Sequence, residues 1–220
     1  VVPLPSRWVH GRPLVYQLVD ESRRAWHAGV SAWKQRSNLN DTSIGIEIVN
    51  RGPTDTARGR VWAPYPPAQI DAVIALARDI IARHDIAPTN VVGHSDIAPS
   101  RKIDPGPRFP WRQLHEAGIG AWPEEATVAA YLARFRHAPP TLAQLQRALA
   151  AYGYALPVTG RLDDRTRDVL RAFQMHFRPS DHDGRPDAET AAILWALLAK
   201  YHPSALSLIH ISEPTRLRRI

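Results

Sequence analysis

The sequence contains no cysteine. A thiolate metal site and a disulfide framework are therefore excluded, and any metal would have to be held by nitrogen and oxygen donors. No apolar run is long enough to span a membrane as a helix. No cluster of Arg and Lys interleaved with aromatic residues is present, which argues against a nucleic-acid partner. The 28 Lys and Arg nevertheless outnumber the 21 Asp and Glu, for a net charge of +7, a balance compatible with anionic lipid or an acidic polymer. No signal peptide is visible, and the first residue is Val rather than Met, so a missing N-terminal segment is expected.

The 220 residues suffice for one domain of ordinary size plus a small one, and 44% hydrophobic residues allow a sizeable core. VYQLV (15–19) reads as a short strand. SIGIEIVN (43–50) reads as a better one, with Ile44, Ile46 and Ile48 alternating onto one face and Gly45, Glu47 and Val49 onto the other. PPAQIDAVIALARDIIARH (66–84) has the 3.6-residue apolar period behind a proline start and predicts an amphipathic helix. NVVG (90–93) predicts the strand that follows, and WRQLHEAGIGAW (111–122) a short helix ended by glycines. Strand, helix and strand in that order point to an α/β unit with a mixed sheet flanked by helices, over residues 1–135.

RHAPPT, at 136–141, has a proline pair and no apolar period, and is expected to be a linker. Three helical patterns follow within 142–203, carrying Leu142, Leu145 and Leu149, then Val169, Leu170, Phe173 and Phe177, then Ile193, Leu194, Leu197 and Leu198. They predict a small three-helix bundle. The tail from 206 to 220, which opens LSLIHISEPTR, resembles the translated sequence of an adapter used in DNA library preparation and is expected not to be native. It carries three arginines and one glutamate, which leaves +5 of the +7 for the rest, and its His210 is set aside.

VVGHSDIAPSRKIDPGPRFPW (91–111) holds the most pointed group of residues. His94 is expected at the end of a strand, where a side chain projects into a cleft. Asp104 follows a loop that Pro99 and Pro105 stiffen, so fewer conformations are lost when it holds a ligand. Lys102, two residues before Asp104, falls on the same side in an extended loop. On spacing alone a chance histidine on a surface loop is the favoured reading over a metal site. Glu47 stands mid-strand opposite the isoleucines; if that face is covered it needs a partner or a role, and if the face is solvated it needs neither. His27 in AWHAG reads first as a packed or hydrogen-bonded loop histidine, and Trp26, Trp33 and Trp62 could line a groove for sugar or peptide or simply pack.

AWHAGVSAW, LNDTSIGIEIVN and the 91–111 string together resemble the zinc-dependent N-acetylmuramoyl-L-alanine amidases, the amidase-2 family, in its AmpD/AmiD group and nearest to its outer-membrane lipoprotein member. The resemblance runs from Val1 to about Trp122, and GRLDDRTRDVLRAFQMHF extends it over 141–200 to a peptidoglycan-binding domain. It implies a fold like that of the peptidoglycan-recognition proteins, Zn2+ as cofactor, and hydrolysis of the amide between N-acetylmuramic acid and L-alanine in peptidoglycan or anhydro-muropeptides. His94 and Asp104 would then be the second and third zinc ligands, Glu47 the residue that handles the proton of the zinc-bound water, and Lys102 the cation facing the oxyanion. Trp26, His27 and Asn50 are candidate substrate contacts.

The family's first zinc ligand, a histidine on an early strand, would lie upstream of Val1, and His10 in WVHG stands in a different context. The chain as it stands is therefore expected to be inactive by itself. A non-catalytic peptidoglycan-binding module of the same fold is the competing reading, although such a module has no physical need for both Glu47 and Lys102. The expected partner is peptidoglycan, the expected state a monomer, and the expected location the periplasm of a Gram-negative bacterium, with attachment to the outer membrane as a lipoprotein.

Overall fold

The computed structural model describes residues 1–3, 8–9, 12–57 and 59–211. They form a mixed α/β unit followed by a helical one. Three short antiparallel hairpins come first: β1 (Trp8–Val9) with β2 (Arg12–Pro13), β3 (Ala32–Trp33) with β4 (Arg36–Ser37), and β5 (Pro53–Thr56) with β6 (Gly59–Trp62). The helix predicted at 66–84 is α1, Pro67–His84, with Pro66 as cap and Asp85 in the left-handed region at its end. Its apolar face buries Ile70, Val73, Ala77 and Ile80 against Val2, Phe109, Trp111, Leu114 and Ile119, with Ile46 and Ile48 packed alongside.

Among the described residues, the predicted strands 15–19, 43–50 and 90–93 form no regular ladder. A strand needs an extended neighbour along its length, and here the neighbour is Val1–Pro3. Val2 donates to the Glu47 carbonyl at 2.8 Å and accepts from Val49 at 2.9 Å, a single parallel bridge to Ile48. On its other side the Val1 α-amino group donates to the Tyr16 carbonyl at 2.7 Å, and Tyr16 donates back at 3.0 Å. Residues 1–2 thus lie between 16 and 47–49, and buried Gln69 of α1 ties them by donating to the carbonyls of Val2, Pro3 and Val49. Residues 91–93 lead from a 3-10 turn (Pro88–Asn90) into α2, His94–Ile97, so His94 opens a helix rather than closing a strand.

The predicted helix at 111–122 is α3, Trp111–Glu116, stopped by Gly118 at φ +84°. Next comes α4, Glu125–Phe135, whose short apolar repeat did not stand out in the sequence. The bundle consists of α5 (Leu142–Tyr152), α6 (Asp164–Phe177) and α7 (Ala188–Tyr201). Although α4 precedes the expected linker, it packs along α7, and α8 (Pro203–Ile211) closes the other end with Ile209 buried. The expected tail therefore begins inside α8, while its residues 212–220, and His10, lie outside the described residues.

The bundle contains an internal repeat. Gly160-Arg161-Leu162-Asp163 and Gly184-Arg185-Pro186-Asp187 are matching turns, each ending in an aspartate that caps the next helix through Thr166 or Thr190. Each turn is read by a fully buried glutamine. Gln146 accepts from the Gly160 amide at 2.7 Å and donates to Thr166 Oγ1 at 2.9 Å; Gln174 accepts from Gly184 at 2.8 Å and donates to Thr190 Oγ1 at 3.0 Å.

Candidate active site

His94 and Asp104 are brought together. The Ser95 amide donates to the Asp104 carbonyl at 2.8 Å, fastening the loop 98–105 to the start of α2, and His94 Nδ1 then lies 3.0 Å from Asp104 Oδ2. His94 Nε2 faces the Ala28 carbonyl at 3.2 Å. Both oxygens can only accept, so the Nε2 proton points to Ala28, and Nδ1 donates to the Asp104 carboxylate when the ring is charged. Burial pushes the Asp104 carboxyl up, but the bond and charge of His94, with Lys102 adding to them, outweigh it and hold Asp104 below its ordinary value. Lys102 is thus close enough for its charge to act on Asp104. Tyr65 supports the same loop by donating to the Pro105 carbonyl at 2.9 Å. Burial and the charge of Asp104 push its hydroxyl up to about 12, so it remains a donor.

The AWHAG loop lies against this pair. Buried Asn40 holds it by accepting from the amides of His27 and Ala28, and Arg101 donates to the carbonyls of Ala28 and Val30. Gly29, at φ +60°, leaves room for the Arg101 guanidinium, which a Cβ would meet at 2.9 Å. His27 is bonded at both ring nitrogens, to the Ala25 carbonyl and to Ser43 Oγ. Gly45 packs on the His27 ring, where a Cβ would come within 2.5 Å. Glu47 alternates with Ile46 and Ile48 and so shares the side of Gly45. It is exposed, and it acts on the neighbouring Val1 α-amino group. The face is solvated, so the cost of burial gives Glu47 no argument for a role.

Of the three tryptophans weighed for a groove, Trp33 is buried and bonds the Thr89 carbonyl at 3.0 Å. Trp26 is 79% exposed, with the Arg24 guanidinium 3.9 Å above its ring. Trp62 lies over Gly106 and lines a cleft of about 280 Å3 with Arg60, Ile103, Arg171, Met175 and His182. Asn50 spends its amide on its own hairpin, donating to the Pro64 carbonyl and accepting from Gly52.

Three residues packed next to the pair escaped the sequence reading. Asp96, two residues after His94, is 1% exposed and is met by Tyr154 and His176 from the helical unit. A signal existed: His176 follows Val169 and Phe173 at helical spacing, a polar residue on an otherwise apolar stripe.

His94 Nδ1 and Asp104 Oδ2, an imidazole nitrogen and a carboxylate oxygen side by side, are of the types that fit two donors of a zinc site. A catalytic zinc takes three protein donors, and among the described residues no group of three His, Cys, Asp or Glu is gathered.

The α/β unit thus pairs a nitrogen donor at the start of α2 with an oxygen donor on the loop after it, and a helical unit built on a repeated turn stands behind them. Residues 7–107 match the N-acetylmuramoyl-L-alanine amidase family, and residues 139–194 match the peptidoglycan binding domain family. The chain is 54% identical over 204 residues to the N-acetylmuramoyl-L-alanine amidase AmiD of Escherichia coli, spanning 91% of this chain and 72% of that protein. The structure of AmiD in complex with anhydro-N-acetylmuramic acid-L-Ala-D-γ-Glu-L-Lys superposes with a TM-score of 0.81 at 53% identity, over 88% of this chain and 76% of that one. AmpDh3 of Pseudomonas aeruginosa, solved with an anhydromuramic pentapeptide, gives 0.80 at 53% identity, over 86% and 74%. The chain belongs to the N-acetylmuramoyl-L-alanine amidase family.

Proposed function

We propose that the chain cleaves the amide between N-acetylmuramic acid and L-alanine in anhydro-muropeptides or in peptidoglycan itself. The observation that carries this reading is the His94–Asp104 pair, 3.0 Å apart with the histidine proton committed to Ala28. Zinc is the proposed ion, held in part by these two residues, and when bound it would supply Lewis acidity toward the amide carbonyl and lower the pKa of water. Glu47, exposed on the His27 side, takes a proton from the attacking water and returns it to the leaving amine. The Lys102 ammonium stabilises the negative charge that develops on the carbonyl oxygen. Trp26 offers an exposed ring to the sugar and His27 braces the loop beside it, while Asn50 holds the hairpin that borders the site. The helical unit, from 142 to 203 behind the 136–141 connection, binds the wall and raises the local substrate concentration.

The test is release of the peptide from anhydro-N-acetylmuramoyl-tripeptide, followed by chromatography, with zinc content measured on the same sample. Glu47→Gln should lower kcat by about 100-fold or more with no loss of fold; an unchanged rate removes Glu47 from the mechanism. The absence of a third gathered donor among the described residues favours one alternative, a module that binds muropeptide without cutting it. Muropeptide binding with no hydrolysis at saturating zinc would select it. A substrate in the cell wall supports the periplasm or the outer membrane as the location. A cysteine-free chain suits that compartment, and no helix among the described residues is long and apolar enough to cross a membrane.

A further inference from the structure

We propose that Asp96, Tyr154 and His176 act as positioning residues for His94, so that the helical unit sets the geometry of the hydrolytic site as well as the affinity for the wall. The proposal rests on the reading of His94 given above. A helix of four residues cannot hold itself, because helix nucleation fixes several dihedrals for one hydrogen bond, so α2 must be held from outside. Asp96 is the residue through which this is done. Its Oδ1 accepts from the Tyr154 hydroxyl at 2.6 Å, and its Oδ2 accepts from the Gly93 amide at 2.7 Å and faces His176 Nδ1 at 2.8 Å. All three polar partners are needed, since a buried carboxylate with unfilled lone pairs is strongly disfavoured.

The His176 ring is itself fixed. It stacks on Trp111 of α3 at 3.8 Å and 14°, and on Phe177 at 4.0 Å and 10°. Gly93 admits this arrangement, because a Cβ there would press on Pro105 at 2.8 Å and on the Trp111 ring at 3.3 Å. Two of the three groups that grip Asp96 thus come from α6 and from the turn after α5. Asp96 stands two residues from His94 on the same short helix, and His94 has its Nε2 pinned to Ala28 and its Nδ1 beside Asp104. Releasing Asp96 lets α2 turn, and a turn moves Nδ1 away from Asp104. Displacements of about 1 Å at a reacting site can cost 100-fold in rate.

The experiment uses the whole chain and a soluble anhydro-muropeptide. Tyr154→Phe keeps the ring and removes one bond, His176→Leu removes the imidazole, and His176→Asn restores a donor near the Nδ1 position. Tyr154→Phe and His176→Leu should lower kcat about tenfold with KM and binding to insoluble peptidoglycan within twofold, and His176→Asn should recover most of the loss. Independently of turnover, 15N spectra of labelled histidines should show the His94 ring resonances shifted in Tyr154→Phe and those of His27 unmoved. Unchanged kcat and unchanged His94 resonances in Tyr154→Phe would overturn the proposal and leave the helical unit an anchor. If the unmodified chain does not hydrolyse the substrate, the cleavage proposed for this chain fails, and the His94 resonances still decide whether the clamp exists.

Discussion

Glu21 shows how one side chain can tie a loop to a helix. Its carboxylate meets Arg83 and His84 at the end of α1, and the hydrogen bonds from Arg83 and His84 lower its pKa from 4.5 to about 2. A depressed carboxylate stabilises the fold above its unfolded value and loses that contribution as pH falls through the folded one. The stability difference between the natural chain and Glu21→Gln should therefore be constant above pH 4.5 and shrink toward pH 2, as measured by urea midpoints across that range; a difference that persists at pH 2 would rule out the ion pair as its source. Gly106 is a second single-residue constraint. Its φ is +80° and Trp62 lies where a Cβ would be, 2.4 Å away. Gly106→Ala should destabilise by about 1–3 kcal/mol and quench or shift Trp62 emission as the ring is displaced. At this scale the sequence is informative where chemistry is carried by residue type. His94 and Asp104 could be paired only through the resemblance carried by a string of 21 residues, since their spacing left the pairing open, and the fold closes it through the Ser95–Asp104 bond. Asp96 could not, because its partners lie 58 and 80 positions away and only the fold brings them close.

Among the elements, the helices were legible and the strands were not. The apolar period of α1, α5, α6 and α7 is local, and the capping residues announce where three of them begin. An extended segment is stabilised by neighbours, and the ladder around 43–50 reduces to the bonds made by Val2, whatever the alternation of its isoleucines. The hairpin β5–β6 was missed for the opposite reason: it is paired, yet PTDT has no apolar alternation to announce it. Two elements of the bundle allow a graded test. Thr141 and Gln144 form a reciprocal capping box at the start of α5, so Thr141→Ala should cost about 1 kcal/mol. Gln146 is fully buried and serves the Thr159, Gly160 and Thr166 groups together. Gln146→Leu would leave the Thr159 and Gly160 amides without their acceptor and should cost about 2–3 kcal/mol. Denaturant midpoints of the two variants should fall in that order, and equal losses would show that the repeated turns do not depend on their glutamines.

At the scale of the molecule the composition marks a connection at 136–141, but the cores do not respect it. Ala28, Trp33 and Leu39 of the α/β unit belong to the same buried cluster as Leu149, Phe173 and Leu194 of the bundle. The Trp33 ring stands edge-on to Tyr154 at 5.0 Å and to Tyr152 at 6.0 Å, and Gly153 lacks a side chain where that ring passes. The Lys34 amide donates to the Gly153 carbonyl at 2.6 Å, and Lys200 of α7 bonds the Trp122 carbonyl and pairs with Glu124. A proline pair reports where the chain is stiff and polar; it says nothing about which faces meet on either side of it. Two units that share a core and a buried carboxylate cannot unfold separately without exposing both. Calorimetry should therefore give one transition, with calorimetric and van't Hoff enthalpies equal. Trp33→Ala should lower the stability of the whole by about 3–5 kcal/mol and shift far-ultraviolet circular dichroism and tryptophan fluorescence midpoints together, although only one side of the junction is altered. Two resolved transitions, or a Trp33→Ala effect confined to one probe, would mean that the units fold independently and that the contact at Trp33 is only a docking surface between them.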